Sequence, residues 1–147
     1  MHVFRSMVID ADIHKVWAAV RAFDGVVHWN PGVVGAALEN GAPTATGTIR
    51  KLDIADGTVF RETLLAHSDA EHFYTYDILE SALPVIGYVS THRFIPITHT
   101  GQTLSIWESR FECAAPDAAE METIIGDAIY IGGMSGLNQF LKENDNG

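Results

Sequence analysis

Residues 33–113 contain six short segments with the residue types of β-strands, and turn-forming residues close each of them. The segments are VVGAALEN, TGTIRKLDI, TVFRETLLAH, HFYTYDILE, YVSTHRFIPI and TLSIWESRFECA. Turn signals such as Asn40-Gly41 and Thr100-Gly101 recur about every ten positions, which is typical of an antiparallel meander. With a further strand predicted over residues 3–9, they indicate a sheet of seven antiparallel strands.

Two short helices are predicted between the first two strands. Residues 10–23, DADIHKVWAAVRAF, place apolar side chains with helical spacing, and either Asp10 or Asp12 can cap this helix. Residues 25–29, GVVHW, add one further helical turn. The residue before a proline is biased away from helical angles, so Asn30 ends the helical part.

The chain changes to a helical pattern after Pro116. One long helix is predicted from Asp117 to Lys142, with Asp117 and Glu120 in a capping-box arrangement. Each glycine inside a helix costs about 1 kcal/mol relative to alanine, so a helix that keeps several needs close approach by a neighbour or room beside it. The glycines are Gly126, Gly132, Gly133 and Gly136.

This order of elements defines an α+β fold class, and we expect residues 1–147 to form a single domain. The sheet must curve around the long C-terminal helix to bury the apolar face of each. A curved sheet around one helix leaves a gap that side chains fill only in part. That gap is the expected location of a binding site.

Composition excludes several classes of partner. The net charge is −10 and no segment clusters Lys and Arg, so we expect no nucleic-acid partner. No apolar run approaches the ~20 residues of a membrane-spanning helix, so we expect no membrane insertion. The single cysteine, Cys113, cannot form an internal disulfide, and no histidines are spaced as zinc ligands. We therefore expect no metal, no cofactor and a cytoplasmic location.

Strand alternation predicts which side chains face the gap. In YVSTHRF the face opposite Arg93 should point inward, and in LSIWESRFE the face opposite Arg110 should do so. Glu62 falls on the apolar face of its strand. The predicted inward residues are Phe60, Glu62, Leu64, Tyr74, Tyr76, Ile78, Tyr88, Ser90, His92, Phe94, Trp107, Ser109 and Phe111.

Four segments resemble the SRPBCC superfamily, which has the helix-grip or START-like fold and includes polyketide cyclases/dehydrases and lipid-transfer proteins. They are VWAAVRAFDGVVHWNPGV, FRETLLAHSDAEHFYTYDILESALPVIGYVSTHRF, IWESRFE and IYIGGMSGLNQFL. The resemblance covers nearly the whole chain and implies a helix-grip fold. It also implies a cavity for a small apolar or aromatic molecule.

The plant abscisic-acid receptors are similar members of that superfamily. The comparison implies pocket positions at Glu62, Tyr76, Ile78, Tyr88, Ser90, Ser109, Tyr130, Met134 and Asn138. Asn30 replaces the lysine that holds the hormone carboxylate in the receptors, and their gate and latch motifs are absent here. Hormone sensing is therefore not expected.

The predicted ligand-binding set combines these two arguments. It consists of Asn30, Phe60, Glu62, Tyr76, Ile78, Tyr88, Ser90, His92, Trp107, Ser109, Tyr130, Met134 and Asn138. A buried carboxylate and an imidazole can transfer protons, which makes Glu62 and His92 catalytic candidates. The alternatives are an ion pair of Glu62 with Arg50 or Arg61, and a structural role for His92.

Two functions remain open on the sequence. The first is a binding protein for a small hydrophobic, aromatic or polycyclic ligand. The second is a cofactor-independent cyclase, dehydratase or lyase that uses Glu62 and His92 for proton transfer. A homodimer is left open beside a monomer.

Overall fold

The structure is a computed structural model that describes residues 1–144. Seven antiparallel strands form one sheet in the order β1-β7-β6-β5-β4-β3-β2. The strands are β1 (His2–Ile9), β2 (Val33–Leu38), β3 (Ile49–Ile54), β4 (Val59–Ser68), β5 (Phe73–Asp77), β6 (Ile86–Ile97) and β7 (Gln102–Glu112). The predicted α+β helix-grip fold, a curved seven-stranded sheet with a long C-terminal helix, is confirmed.

Two short helices, α1 (Ile13–Val20) and α2 (Val26–Trp29), connect β1 to β2. Asp12 caps α1, since its carboxylate accepts hydrogen bonds from the backbone N–H groups of His14 at 2.9 Å and Lys15 at 3.2 Å. Of the two caps that the sequence allowed, Asp12 is therefore the one used.

The C-terminal helix α3 runs over residues 118–143 without interruption. It begins as an α-helical turn (Ala118–Met121), continues as a π-helix (Glu122–Ile131) and ends as an α-helix (Gly132–Glu143). The prediction of a capping box at Asp117 and Glu120 is wrong, because a 3₁₀ turn over Ala115–Asp117 precedes α3. Asp117 already has helical angles, φ −90° and ψ −11°, so its side chain makes no capping hydrogen bond.

Inward-facing side chains form rows across β5, β6 and β7. One row is Tyr74, His92 and Trp107, and the next row is Tyr76, Ser90 and Ser109. All six residues are buried, whereas their neighbours Val89, Arg93 and Arg110 are at least partly exposed. The alternation predicted for these strands is therefore confirmed.

Three of the four glycines in α3 allow a neighbour to approach closely. A Cβ atom on Gly136 would overlap Pro31, one on Gly126 would overlap the Arg5 guanidinium, and one on Gly133 would lie 2.8 Å from the Trp107 ring. Close approach explains why the helix keeps these residues. Among residues 1–144, no helix is long and apolar enough to cross a membrane.

Candidate functional site

A cavity of about 330 Å³ lies between the sheet and α3. Leu52 and Phe60 line it from β3 and β4, and Ile124, Ala128 and Ile129 line it from the π-helical part of α3. Because a π-helix has a wider turn than an α-helix, this part of α3 presents a different face from the one that a 3.6-residue period predicts. The cavity wall on this side is aliphatic.

Seven members of the predicted ligand-binding set line the cavity. They are Asn30, Phe60, Glu62, Tyr76, Ile78, Tyr88 and Trp107. Asn30 follows α2, and its side-chain oxygen accepts a hydrogen bond from the backbone N–H of Gly32 at 3.0 Å. The aromatic side of the cavity thus comes from the strands, and the turn after α2 adds Asn30 and Gly32 to the lining.

The other six members do not line the cavity. Ser90, His92, Ser109, Tyr130 and Met134 are buried behind its wall, and Asn138 is only partly buried. The Asn138 side-chain oxygen accepts a hydrogen bond from the backbone N–H of Asp10 at 2.9 Å, so this residue ties α3 to the end of β1. The Oγ atom of Ser109 has no hydrogen-bond partner among residues 1–144.

Glu62 forms a buried ion pair with Arg50. The Nε and Nη2 atoms of Arg50 both lie 2.8 Å from the same carboxylate oxygen of Glu62, Oε1. Arg50 also donates to the carbonyl oxygen of Phe23 at 2.6 Å, and its guanidinium lies 3.9 Å from the centre of the Phe23 ring. Burial raises the pKa of the Glu62 carboxyl, and the positive charge of Arg50 opposes that rise.

Arg61, the other partner considered for Glu62, lies on the outer face of the sheet. Its Nε and Nη2 atoms donate to the Glu39 carboxylate at 2.9 and 3.0 Å. Arg50 is therefore the partner of Glu62, and both members of that pair line the cavity.

A network of hydroxyl groups lies at the aromatic side of the cavity. The Trp107 indole N–H is 3.1 Å from both the Tyr76 hydroxyl and Ser90 Oγ. Ser90 Oγ is 3.0 Å from the Tyr130 hydroxyl, which is also hydrogen-bonded to the Tyr88 hydroxyl. Burial raises the pKa values of Tyr76 and Tyr88 well above 10.0 and that of Tyr130 to about 12, so all three hydroxyls keep their protons.

His92 is held in a stack of rings. Its ring centre is 4.1 Å from that of Trp107, at an interplanar angle of 12°, and 4.3 Å from that of Phe94. The Nε2 atom is 2.7 Å from Ser105 Oγ, and Nδ1 has no partner among residues 1–144. Burial, and secondly the positive charge of Arg50, lowers the pKa of His92 well below 6.5, so the imidazole is neutral.

Sequence reasoning missed several residues that line the cavity. Arg50, Leu52 and Ile54 alternate along β3, and the same period-two argument that placed Glu62 would have placed them on the inner face. Ile124 and Ala128 have no such signal. Their position depends on the π-helical turns, which helical periodicity does not indicate.

A protein-family model matches most of the chain and shows its family. Residues 1–137 match the model described as polyketide cyclase/dehydrase and lipid transport. The chain belongs to this family, which confirms the resemblance to the SRPBCC superfamily. No curated protein matches the chain in sequence.

Solved structures with the same fold come from several bacteria. The protein XoxI from Bacillus cereus is 26% identical, with a TM-score of 0.88 and coverage of 99% of both chains. A putative uncharacterized protein from Bacillus thuringiensis is 27% identical, with a TM-score of 0.87 and coverage of 97% of this chain and 99% of that chain. A protein from Thermobifida fusca is 22% identical, with a TM-score of 0.87 and coverage of 97% and 93%, and it shows the fold alone.

Proposed function

We propose that the chain binds a small apolar molecule with an aromatic or polycyclic framework in the cavity between the sheet and α3. The observation that carries the proposal is the cavity itself, about 330 Å³ in volume and lined mostly by aliphatic and aromatic side chains. Cavities of roughly 300–1,000 Å³ with an apolar wall and few polar groups are typical small-molecule sites. Membership in a family named for polyketide and lipid chemistry supports the same function.

An aromatic ligand suits the wall of this cavity. Phe60, Tyr76, Tyr88 and Trp107 line it from four different strands. The two faces of Trp107 are covered by His92 and Tyr130, so this ring offers its edge. Aromatic rings pair favourably in offset or edge-to-face arrangements, each pair contributing about 0.5–1.5 kcal/mol beyond the buried area. A flat ligand can make such contacts with several of these rings at once.

The enzyme alternative uses Glu62 and His92 for proton transfer, and their contacts favour a binding protein instead. Glu62 is paired with Arg50 at 2.8 Å, and His92 lies behind the cavity wall with Nε2 at 2.7 Å from Ser105. A general acid or base must come within hydrogen-bond reach of the proton that it transfers. His92 does not line the cavity, and its ring stacks on one face of Trp107, whose other face stacks on Tyr130.

Blocking the opening of the cavity should weaken binding. Ala128 lines the cavity from α3 and is itself exposed, so Ala128→Phe places a ring where the ligand must enter. With the uncharged probe N-phenyl-1-naphthylamine, whose fluorescence rises in apolar sites, we expect saturable binding at one site per chain. The variant should weaken that binding by at least about tenfold, or about 1.4 kcal/mol, because the added ring competes with the probe for the same space.

Ala119→Phe is the matched control. Ala119 is exposed on the same helix and does not line the cavity, so the substitution adds the same ring without occupying the site. Probe affinity should remain that of the unsubstituted chain. Non-saturable binding, or equal affinity of Ala128→Phe and Ala119→Phe, would contradict the proposed function.

The cytoplasmic location remains a prediction from the sequence, and the homodimer remains one of two open oligomeric states. Neither is needed for the proposed binding function, because residues of one chain form the whole cavity wall described above.

A further inference from the structure

The directions of the hydrogen bonds behind the cavity wall can be assigned from the number of hydrogens available. Ser90 Oγ has one hydrogen and donates it to the backbone carbonyl oxygen of Glu108 at 3.1 Å. In the 3.0 Å contact between Ser90 and Tyr130, Tyr130 must therefore be the donor. Tyr130 then has no hydrogen left, so Tyr88 is the donor in its contact with Tyr130.

The same accounting leaves one hydrogen unassigned, that of the Tyr76 hydroxyl. The indole N–H of Trp107 donates to Tyr76 at 3.1 Å, so Tyr76 is the acceptor in that contact. Among residues 1–144, Tyr76 is a donor in none of the hydrogen bonds that meet the distance and angle limits. Ser90 Oγ lies beside its hydroxyl and already accepts from Tyr130 and the Trp107 indole N–H. Burial keeps this hydroxyl protonated, because it raises the pKa of Tyr76 well above 10.0.

The charges in the interior of the cavity are already balanced. Arg50 and Glu62 both line it, both are buried, and their charges are in contact at 2.8 Å. The other ionised group in the wall, Asp56, is exposed, and its carboxylate accepts hydrogen bonds from Thr58 Oγ1 at 2.6 Å and the Thr58 backbone N–H at 2.9 Å. A ligand carboxylate would find no unpaired cation, and burying an unpaired charge is costly.

We propose that the cavity selects an uncharged flat molecule with a carbonyl-type oxygen, and that this oxygen accepts the hydrogen of the Tyr76 hydroxyl. The inference rests on the proposed function, since it specifies the polar group of the ligand that the cavity binds. Tyr76 is the specificity-determining residue, and the network of Trp107 and Ser90 fixes the position of its oxygen.

The test is competition against bound N-phenyl-1-naphthylamine by three compounds of one shape, 2-acetylnaphthalene, 2-ethylnaphthalene and 2-naphthoate. Tyr76→Phe should lower the affinity for the ketone by about 3- to 10-fold, which is the effect of one lost hydrogen bond. The affinity for the hydrocarbon should change by less than about twofold. In the unsubstituted chain, 2-naphthoate should bind at least about tenfold more weakly than the ketone.

Tyr74→Phe is the control, because it removes a hydroxyl two residues away on the same inner face of β5 from a ring that does not line the cavity. The Tyr74 hydroxyl is next to Arg50, so the readout is the ratio of ketone affinity to hydrocarbon affinity, which this variant should leave unchanged. A measurement without any variant is the carbonyl stretching frequency of bound 2-acetylnaphthalene. That frequency should be lower than in hexane because the oxygen accepts a hydrogen bond.

The outcomes separate the two proposals. If the hydrocarbon and the probe bind, but the ketone is insensitive to Tyr76→Phe, or its carbonyl frequency is that in hexane, the inference is overturned and the binding function stands. The inference also fails if 2-naphthoate binds as tightly as the ketone. If neither the probe nor any of the three compounds binds, the proposed function itself fails.

Discussion

The imidazole of His92 lies between the rings of Phe94 and Trp107, with Nε2 bonded to Ser105 and Nδ1 unpaired. Alternation along β6 predicted that this side chain faces inward. The sequence did not reveal that this side chain would lie outside the cavity lining, because a period-two pattern gives the face of a strand and not the depth of each residue. His92 is therefore a buried, neutral member of the core.

His92 should make the protein less stable in mild acid. Its pKa in the folded chain is well below the unfolded value of about 6.5, so at intermediate pH only the unfolded chain binds the proton. The resulting stabilisation is complete above pH ~6.5 and is lost as the pH falls towards the folded-state pKa, by up to about 1.4 kcal/mol per pH unit. Urea unfolding between pH 7.5 and 5 measures this slope.

His92→Gln supplies the comparison, since glutamine does not titrate and its amide can still bond to Ser105. The free energy of unfolding of this variant should fall less steeply below pH ~6.5 than that of the unsubstituted chain. Parallel profiles for the two chains would show that His92 is not buried in the neutral form.

At the scale of elements, the residue pattern of the sequence predicts the seven strands and three helices. It does not predict the internal geometry of α3. Turn residues and alternation were sufficient for the strands because each side of the sheet has a distinct environment. The π-helical part, Glu122–Ile131, contains ordinary helix-forming residues, and its wider turn carries no mark in the sequence. The position of Ala128 and Ile129 on the cavity wall was therefore not predictable.

Replacing a glycine of α3 by alanine should change the free energy of unfolding in opposite directions at two positions. A Cβ atom on Gly136 would overlap Pro31 and lie 2.7 Å from the Trp29 carbonyl oxygen, so Gly136→Ala should destabilise the fold by about 1–3 kcal/mol. At Gly132 the nearest atom would be 3.8 Å away, so Gly132→Ala should stabilise the helix by about 0.5–1 kcal/mol. Chemical unfolding of both variants measures these changes.

Equal effects of the two alanines would contradict this account of how α3 packs. The same helical preference acts at both sites, so any difference in sign comes from the contacts with Pro31 and Trp29. A destabilised Gly136→Ala would also indicate that the turn after α2 is held against α3.

At the scale of the whole molecule, the resemblance and the element order predicted that sheet and helix would not close completely on each other. A residue pattern assigns faces, but a cavity volume depends on how every side chain between two faces packs. That is why seven of the 13 predicted ligand-binding residues line the cavity, five are buried outside its lining, and Asn138 contacts the end of β1 instead. The net charge of −10 and the balanced Arg50–Glu62 pair both disfavour an anionic ligand.

A crystal structure of the chain with N-phenyl-1-naphthylamine tests the central claim most directly. We expect the naphthalene ring between Ile124 and Ala128 of α3 and Leu52 and Phe60 of the sheet, in contact with Tyr76. Electron density for the probe only on the outer surface, or side chains filling the space between sheet and helix, would contradict the claim that this protein binds its ligand there.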